Sequence, residues 1–386
     1  MGARVNEEAR KTDASNPVLA GAIRERISKD GPITFAEFMR LALYSPGAGY
    51  YAREEGPWGP DGDYITNLDL GPAFAKTIAR QIAGMWEALG RGPFTLVEAG
   101  AGRATLSLGI LEALRDVCPG LSANIEVKLV DRKTRPGLNL PPNVSWHGDI
   151  SEITPGMTGV ILSNELIDSF PAHRVVQLGG ELREIYAGIC AGRIQDVPGS
   201  PSTTALAAYL KDAGVTLIEG QRCEINLDAT DWIRRAGGLI ERGFVMTIDY
   251  GLPGRELYAP ETGPTLHCHC RHTLNNAPYA NIGTQDITTR VDFTALARYG
   301  GQAGLAVTGF TTQKNFLLGL GITDELAGMD GGDAADYDRI KDNGLIKQLI
   351  MPHSMGDAFK VLVQHKGVER PALAGFSWRD MSRYLY

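Results

Sequence analysis

The sequence predicts an α/β fold in which a mainly parallel sheet is flanked by helices. Short apolar runs with the composition of buried strands alternate with amphipathic helical segments through the centre of the chain. Two further strand-like segments lie near the end, as expected for a closing antiparallel pair. The strand-like runs are residues 94–98, 125–130, 159–163, 243–249, 305–318 and 358–365, and helices are predicted over residues 71–89 and 105–117.

Size and composition limit the number of domains and the kind of protein that the chain can form. The chain has 386 residues, so either two domains or one core with a large insertion is allowed. Its 43% hydrophobic and 22% charged residues are ordinary for a soluble globular protein. No apolar run reaches the ~18 residues that a membrane span needs, and we therefore expect no membrane insertion.

Charge and cysteine content bear on partners and location. The formal net charge of −7 argues against a nucleic-acid partner, because binding to phosphate backbones requires an excess of basic residues. The five cysteines are too few and too scattered for the disulfide framework of a secreted protein. Residues 1–16 lack an apolar signal segment and are predicted to be a disordered leader. These features predict a cytoplasmic protein.

The N-terminal part is predicted to be helical and to end in a loop. Asn16 is a suitable N-cap for a helix over residues 17–28, and Thr34 with Glu37 has the spacing of a capping box at a second helix. Residues 45–66 are rich in glycine, proline, tyrosine and tryptophan, which indicates a loop. Because it is so aromatic, we expect this loop to cover a binding site.

A glycine-rich turn between a predicted strand and a predicted helix is the clearest candidate binding site. Residues 97–106 read V-E-A-G-A-G-R-A-T-L, which puts Gly100, Ala101 and Gly102 at the turn. Because glycine has no side chain, a ligand can approach the backbone there, and the start of a helix favours polar ligand groups. We therefore expect these three residues to contact a cofactor.

The residues around the turn indicate which cofactor it holds. Glu98 lies two residues before the first glycine, and Thr105 replaces the third glycine of the dinucleotide fingerprint. A carboxylate would repel a pyrophosphate but attract the ammonium group of a methionine moiety, directly, through water or by orienting the loop. The turn therefore favours S-adenosylmethionine over NAD.

Two more acidic residues follow neighbouring predicted strands. Asp131 ends the strand over residues 125–130 and is expected to accept hydrogen bonds from both ribose hydroxyls of the cofactor. Asp149 follows the next strand and is expected to meet the adenine amine. Ligands of open α/β sheets bind at the carboxyl ends of strands, where all three acids are predicted to lie. The alternative is that Glu98 caps the following helix and Asp131 is a solvated strand end.

An amide and several carboxylates form a candidate acceptor side. Asn164, Glu165 and Asp168 follow the fourth predicted strand, and Asp249 ends the fifth. Methyl transfer is an in-line displacement that requires orientation and a nucleophilic lone pair. Carboxylates near the methyl group would bind a cationic acceptor such as a guanidinium. We predict that these four residues serve catalysis; the alternative is that the first three cap the following turn.

The segment from His267 to His272 has the composition of a metal site but not its spacing. It reads H-C-H-C-R-H, and in a strand His267 and His269 would lie on one face with Cys268 and Cys270 on the other. One ion could not easily collect four of these ligands. We therefore expect no metal and a mobile loop at this position.

Seven longer motifs follow one another along the chain. They are F-A-E-F-M-R-L-A-L-Y-S-P-G-A-G-Y-Y (35–51), G-D-Y-I-T (62–66), V-E-A-G-A-G-R-A-T-L (97–106), N-E-L-I-D-S-F-P (164–171), I-D-Y-G (248–251), D-I-T-T-R-V-D-F (286–293) and F-K-V-L (359–362). In this order they resemble the motifs of the MidA-like family, whose mitochondrial members are complex I assembly methyltransferases. The resemblance spans nearly the whole chain, from about residue 16 to residue 375.

The resemblance implies a class I, Rossmann-like methyltransferase with a seven-stranded sheet, an N-terminal helical segment and an inserted substrate or partner domain. It also implies S-adenosylmethionine as cofactor and, by analogy with the mitochondrial branch, symmetric dimethylation of an arginine on a protein partner in the assembly of a respiratory complex. Matched by motif, Gly100 and Gly102 would form the cofactor loop, and Asn164, Glu165 and Asp168 would line the acceptor side.

The chain departs from the family pattern in three places. Ala104 stands where glycine is usual, L-V-D-R-K (129–133) replaces a more usual V-E-x-S-P, and residues 267–270 interrupt a basic stretch. Alanine is tolerated at the first position if that residue is helical. The third change leaves the particular substrate open.

The predicted organisation leaves three functions open. These are a protein arginine methyltransferase, a small-molecule methyltransferase whose loop and insertion close a pocket, and a non-catalytic assembly chaperone that keeps the fold. The predicted parts are a leader (1–16), N-terminal helices with a loop that covers the active site (17–92), the first part of the cofactor-binding core (93–169), an insertion that binds substrate or partner (170–240), and the second part of the core (241–386) with a further loop insertion (252–292).

Overall fold

A computed structural model describes residues 14–53, 71–133, 137–263, 265–270, 273–326 and 334–386, and in the last range the side chains from residue 340 onward. Most of the predicted loop over 45–66 and the histidine at position 272 lie outside these residues. The helices are α1 (Pro17–Asp30), α2 (Phe35–Tyr44), α3 (Pro72–Ala88), α4 (Thr105–Val117), α5 (Pro119–Ser122), α6 (Ala205–Asp212), α7 (Leu227–Leu239), α8 (Gly254–Leu257), α9 (Phe293–Gln302), α10 (Gln313–Gly319), α11 (Ala334–Ile350) and α12 (Met355–Ala358).

The described residues also form strands, which are numbered here in chain order. They are β1 (Ile33–Thr34), β2 (Phe94–Ala99), β3 (Ile125–Val130), β4 (Val144–His147), β5 (Met157–Asn164), β6 (His173–Leu178), β7 (Glu181–Cys190), β8 (Arg193–Gly199), β9 (Arg222–Ile225), β10 (Ile240–Leu252), β11 (Leu266–Cys270), β12 (Thr273–Asn275), β13 (Asp286–Thr289), β14 (Val291–Asp292), β15 (Ala306–Thr312) and β16 (Phe359–Lys366). Within the part of the chain that is described, no helix is long and apolar enough to cross a membrane.

The chain divides into two compact units, each assembled from segments that are distant in sequence. The first unit comprises Met1–Ile65, Asp168–Ala229 and Gly254–Arg290, and the second comprises Thr66–Ile167, Thr230–Pro253 and Val291–Tyr386. The domain boundaries drawn from the sequence remain predictions.

The second unit contains the predicted sheet. Its strand order is β15-β16-β10-β5-β2-β3-β4, and the short strand β14 pairs with the end of β10. The pairs β10–β5, β5–β2, β2–β3 and β3–β4 are parallel, whereas β16 runs antiparallel to both β10 and β15. The seven-stranded α/β fold with a closing antiparallel pair is therefore confirmed.

Helices α3 and α4 bury their apolar faces in the core of this unit. Ile78 and Ile82 of α3 and Ile110 of α4 are fully buried in one cluster with Leu96 of β2 and Val127 of β3. The helical spacing of these residues in the sequence is what places them on one face. Burying each such side chain stabilises the fold by about 1.5–3 kcal/mol.

The segment over 305–318 is a strand only as far as Thr312, so the prediction of a strand throughout is wrong for residues 313–318. The Thr312 hydroxyl accepts a hydrogen bond from the Asn315 backbone N–H at 3.3 Å and begins α10. Phe316 and Leu317 are then buried in the core of the second unit. A short apolar run is compatible with either a buried strand or a buried helix. Here the threonine cap stabilises the helix.

The C-terminal tail contacts the outer edge of the sheet at β15. The Met381 N–H donates to the Phe310 carbonyl at 2.6 Å, and the Phe310 N–H donates to the Asp380 carboxylate at 3.2 Å. Asp380 also accepts the Ser382 N–H at 2.9 Å. The tail thereby satisfies backbone groups at an edge that would otherwise be open to pairing.

The first unit contains two antiparallel sheets and the N-terminal helices. One sheet has the order β1-β7-β6-β9 with β8 paired to β7, and the other has the order β12-β11-β13. The caps predicted for α1 and α2 are present, because Asn16 accepts the N–H groups of Val18 and Leu19 and Thr34 accepts that of Glu37. The backbone N–H of Asn16 also donates to Ile282 at 2.8 Å, so residue 16 is held by the fold and is not part of a disordered leader.

The region over 252–292 is not a loop insertion, and residues 267–270 do not form a mobile loop. They lie in β11, which pairs with β12 and β13. Leu266 and Cys268 alternate with His267 and His269, and the first two are buried in the apolar core that α1 and α2 build in the first unit. This period of two is a strand pattern, and burial of its apolar face outweighs the polar composition of the other face.

Close approach of three strands depends on a glycine. Gly159 on β5 lies between Thr95 on β2 and Gly243 on β10, with φ values of +150° at Gly159 and +157° at Gly243. A side chain at Gly159 would overlap the Thr95 carbonyl oxygen, which is rigid backbone. Only glycine adopts this conformation without strain.

We expect Gly159→Ala to destabilise the protein by about 3 kcal/mol or more, because both the backbone angle and the overlap with β2 oppose it. Urea unfolding would measure the change. Gly92→Ala is the matched control, since an added Cβ there meets nothing within 4 Å. A change below about 1 kcal/mol at Gly159 would show that the sheet adjusts without glycine.

Candidate active site

The predicted cofactor turn joins β2 to α4 and is tied to the neighbouring strand β3. Gly100 and Gly102 have φ values of +74° and +52°. The backbone N–H groups of Gly100 and Ala101 donate to the Val130 carbonyl at 2.9 and 3.2 Å, and the Gly102 N–H donates to the Asp131 carboxylate at 2.9 Å. The turn is therefore fixed against the carboxyl end of β3.

The two glycines are required for different reasons. A Cβ at Gly100 would lie 2.9 Å from the Cδ1 atom of Leu166, so that glycine makes room for the protein itself. Among the described residues, a Cβ at Gly102 would have only the Gly100 carbonyl oxygen within 4 Å, at 4.0 Å. Bare backbone at the start of a helix fits a nucleoside-bearing cofactor that approaches closely.

Ala104 has φ +60° and ψ +14°, so it is left-handed and lies just before α4. The sequence-based argument that alanine is tolerated here because the residue is helical is therefore wrong. The turn holds this conformation through a hydrogen bond from the Ala104 N–H to the Ala101 carbonyl at 2.6 Å. A non-glycine residue in this region costs about 1–2 kcal/mol, which the surrounding packing must offset.

Glu98 is buried next to the glycine turn and bonds to the first turn of the helix that follows it. Its side chain is 3% exposed, and its carboxylate accepts the Ser107 backbone N–H at 3.1 Å, in the first turn of α4. Burial raises the pKa of the Glu98 carboxyl to about 7, although hydrogen bonds from Ser107 oppose the rise. The contact is the helix cap that the sequence left open as an alternative, and it orients the loop.

Asp131 links the turn to the residues after β3. One carboxylate oxygen accepts the Gly102 N–H and the other accepts the Lys133 N–H, each at 2.9 Å. A carboxylate offers about four lone-pair sites, so these two bonds leave capacity for two hydroxyl donors. The position of the carboxylate beside bare glycine backbone fits the predicted contact with a ribose.

Asp149 is exposed and lies after β4, as predicted. It accepts the Ser151 N–H at 2.9 Å and caps a short turn. Hydrogen bonds from Ser151 lower the pKa of this carboxyl, and it is therefore ionised at neutral pH. No hydrogen bond between described residues joins it to Asp131 or to the glycine turn, so its contact with adenine remains a prediction.

Asn164 and Glu165 lie at the carboxyl end of β5. The Asn164 amide donates to the Glu165 carboxylate at 3.2 Å, and the Glu165 N–H donates to the Ile248 carbonyl of β10 at 3.0 Å. Glu165 has φ +51°, a left-handed conformation that is uncommon for a residue with a side chain. The strand therefore ends at a backbone that turns sharply at the predicted acceptor residue.

Asp249 holds that turn in place. Its carboxylate is fully buried and accepts the N–H groups of Leu166, Ile167 and Tyr250 at 3.2, 2.8 and 2.8 Å. These bonds fix the backbone beside the predicted acceptor residues. Leu166 was not recognised from the sequence, yet it packs against Gly100 and so connects the acceptor turn to the cofactor turn.

The structure brings together Asn164, Glu165 and Asp249 in the second unit, whereas Asp168 belongs to the first. Asp168 is 7% exposed and lies in the short turn Ile167–Ser169. Among the described residues, no group of three or more histidine, cysteine or acidic side chains could hold a metal ion.

A family model matches this site and the sheet around it. The model, described as "Putative S-adenosyl-L-methionine-dependent methyltransferase", covers residues 77–311. The chain belongs to this family of S-adenosylmethionine-dependent methyltransferases.

Named relatives cover most of the chain. "Protein arginine methyltransferase NDUFAF7 homolog, mitochondrial" of Drosophila melanogaster is 26% identical over 96% of this chain and 91% of its own length. "Protein arginine methyltransferase NDUFAF7, mitochondrial" of Homo sapiens is 27% identical over 80% of this chain and 75% of its own length. Because these relatives are named as mitochondrial, the prediction of a cytoplasmic location is wrong by this comparison.

A solved structure supports the cofactor. A protein from Burkholderia thailandensis, described as a "likely methyl transferase" bound to S-adenosyl-homocysteine, is 31% identical, with a TM-score of 0.84 over 95% of this chain and 96% of that chain. A native structure from the same organism gives a TM-score of 0.81. S-adenosylmethionine is the cofactor of this enzyme, and the residues of the glycine turn and Asp131 fit it.

We expect Gly102→Val to abolish binding of S-adenosylhomocysteine, measured by titration calorimetry, because the side chain would occupy the space next to bare backbone. Valine is strained at φ +52°, so thermal unfolding would be measured for the same variant. Gly214→Val is the matched control for strain, since Gly214 has φ +65° and an added Cβ there meets no described residue within 4 Å. Near-wild-type affinity of the Gly102 variant would show that the cofactor does not bind at this turn.

We expect Asp131→Ala to weaken cofactor binding by roughly ten- to a hundredfold, the loss of about 1.5–3 kcal/mol from hydrogen bonds to a charged group. Asp380→Ala is the control, because Asp380 also accepts two backbone N–H groups in the second unit but lies at the C-terminal tail. Calorimetry and thermal unfolding would be compared for both variants. Unchanged affinity with a lowered Tm would show that Asp131 stabilises the loop and does not bind the cofactor.

Proposed function

We propose that this methyltransferase transfers methyl groups to arginine side chains of a protein partner. The relatives named as protein arginine methyltransferases match it over most of its length. The observation that carries the proposal is the position of Glu165, at the carboxyl end of β5 and one residue from Leu166, which packs against the glycine turn. A carboxylate there lies where a cationic acceptor has to approach.

The chemistry explains why a carboxylate is useful at this position. When bound, the cofactor supplies a methyl group on a positively charged sulfonium. A guanidinium acceptor is also positively charged, so the two groups repel each other unless the protein provides negative charge between or beside them. Transfer forms an N–C bond, breaks the C–S bond and releases a proton from the acceptor nitrogen. Glu165 offers negative charge and oxygen acceptors for that nitrogen.

The backbone at Glu165 supports a functional role. A non-glycine residue in the left-handed region persists only when its surroundings enforce it, and such residues are frequent at active sites. Here two hydrogen bonds to Asp249, from the N–H groups of Leu166 and Ile167, fix the residues that follow, and the Asn164 amide contacts the Glu165 side chain. Both the main chain and the side chain of Glu165 are therefore oriented before any acceptor binds, which lowers the entropy cost of reaction.

Label transfer to a cell lysate would test the proposal. The enzyme would be incubated with lysate and methyl-labelled S-adenosylmethionine, and the products would be separated into proteins and small molecules. We expect the label in the protein fraction and, after acid hydrolysis, in methylated arginine. Label in small molecules, or in another amino acid, would overturn the proposal, and a protein that binds the cofactor but transfers nothing would be a non-catalytic binding protein.

We expect Glu165→Gln to reduce methyl transfer by roughly ten- to a hundredfold, because an ionic hydrogen bond to a guanidinium contributes about 1.5–3 kcal/mol. Glutamine keeps the size of the side chain and an oxygen for the Asn164 amide. Cofactor affinity should stay within about twofold, since Glu165 serves the acceptor. Initial rates with lysate protein and calorimetry with S-adenosylhomocysteine would measure the two quantities.

Glu112→Gln is the control for the change in net charge, because Glu112 is exposed on α4 in the same unit. An equal loss of transfer and cofactor affinity in Glu165→Gln would mean that the residue orders the whole pocket. Full methyl-transfer activity in this variant would show that Glu165 does not bind the acceptor.

A further inference from the structure

The C-terminal tail, residues 373–386, displays large side chains from a backbone that the second unit holds in place. Leu385 is 2% exposed, and the ring of Phe376 packs against that of Phe316 with the centroids 5.4 Å apart. Hydrogen bonds also join the tail to the edge strand β15. The tail is therefore an ordered part of the fold, and its outward-facing side chains start from fixed positions.

These outward-facing residues are of the types in which the binding energy of protein interfaces is concentrated. Trp378 is 66% exposed and Tyr384 is 38% exposed. Arg379 and Arg383 are exposed as well. Tryptophan, tyrosine and arginine dominate the energetic centres of interfaces, because each combines a large contact area with a polar group. We call these four residues the tail surface.

The two arginines of the tail surface lie near one phenol group and have no carboxylate partner. The Arg383 guanidinium donates to the Tyr384 hydroxyl at 3.0 Å, and its central carbon lies 4.9 Å from the centroid of that ring. Arg383 and Arg379 both lower the pKa of the Tyr384 hydroxyl, so both positive charges lie close to it. Among the described residues, neither arginine forms an ion pair with an acidic side chain. The tail surface therefore carries positive charge that the protein does not neutralise.

The acidic residue of the tail is engaged by backbone groups at the sheet edge. One carboxylate oxygen of Asp380 accepts the N–H groups of Phe310 and Ser382 at 3.2 and 2.9 Å, and the other accepts the Ser382 hydroxyl at 3.0 Å. Residues 370–386 contain three arginines and one acidic residue, although the whole chain has a net charge of −7. The tail is thus a locally basic part of an acidic protein.

The tail surface is distant from the glycine turn of the same unit. The tail bonds to β15, and the strands β16, β10 and β5 separate β15 from β2, which leads into the turn. At about 4.8 Å between neighbouring strands, β15 lies roughly 19 Å from β2. A molecule bound at the tail surface therefore does not compete with the cofactor.

We propose that the tail surface binds an acidic segment of a protein partner. Carboxylates of that segment form charge-assisted hydrogen bonds with Arg379 and Arg383, and its aromatic side chains cover Trp378. A guanidinium offers planar donors that fit a carboxylate bidentately, and it is weakly hydrated, so it is suited to an interface. The negative net charge of the chain disfavours a nucleic acid at the same place. The inference goes beyond the proposed function, because it does not depend on which residue is methylated.

Binding of a labelled acidic peptide tests the proposal. The probe is a fluorescein-labelled peptide of glutamate, tyrosine and glycine repeats, and its affinity for the full chain is measured by fluorescence anisotropy at low salt. We expect Arg379→Gln combined with Arg383→Gln to weaken binding by about three- to thirtyfold, and Trp378→Ala by about five- to thirtyfold. Added salt should also weaken binding, since the charges are exposed.

Arg24→Gln combined with Arg115→Gln is the control for the change in net charge, because both arginines are exposed and lie outside the tail. Thermal unfolding and affinity for S-adenosylhomocysteine should be unchanged in every variant, since the substituted side chains are exposed. The proposal is overturned if the wild-type protein does not bind the acidic peptide. It is also overturned if the tail variants bind as the wild type does, or if the control variant loses as much affinity as they do.

Measurements on the wild-type protein separate this partner from other occupants of the tail surface. A peptide with glutamine in place of glutamate should bind at least about tenfold more weakly, and equal affinity would overturn recognition of negative charge. Tighter binding of poly-uridine RNA, lost in the variant that lacks both tail arginines, would identify a nucleic-acid surface and overturn the proposal. A dimer in sedimentation that Trp378→Ala dissociates would show that a second copy covers the surface, which would overturn it as well.

Discussion

The buried carboxylate of Asp249 is the constraint on which the turn at the predicted acceptor residues depends. Three backbone N–H groups donate to it, two of them from the turn that leaves β5. A buried carboxyl group without partners would cost several kcal/mol, so these hydrogen bonds stabilise both the turn and the buried side chain. Because the turn is fixed, Glu165 can keep a left-handed backbone and Leu166 can pack against Gly100. The hydrogen bonds to Asp249 thereby connect the turn after β5 to the glycine turn.

The glycine turn is likewise held by a few hydrogen bonds to neighbouring carbonyl and carboxylate groups. Val130 and Asp131, at the end of β3, accept all three N–H groups of the glycine turn, and Glu98 accepts one from the start of α4. The parallel sheet brings these strand ends to one edge, so acids that are far apart in sequence act on one loop. The family model, and a solved structure that holds S-adenosyl-homocysteine, support S-adenosylmethionine as the cofactor.

The first unit is assembled from three chain segments that are distant in sequence. The Tyr44 hydroxyl bonds to Ser169 of the second segment, and the Tyr51 hydroxyl bonds to Asp286 of the third. Two stacked tyrosines of the first segment therefore connect all three segments.

The sequence by itself determined the elements whose cause is local. The caps at Asn16 and Thr34, the glycine turn and the alternation of apolar runs with helices all follow from backbone propensity and the period of burial. Only the tertiary structure decided the role of Asp249, the left-handed state of Ala104 and the strand at residues 266–270. Each of these depends on partners distant in sequence, such as the N–H groups near residue 166 or the core between α1 and β11, and no local pattern encodes such partners.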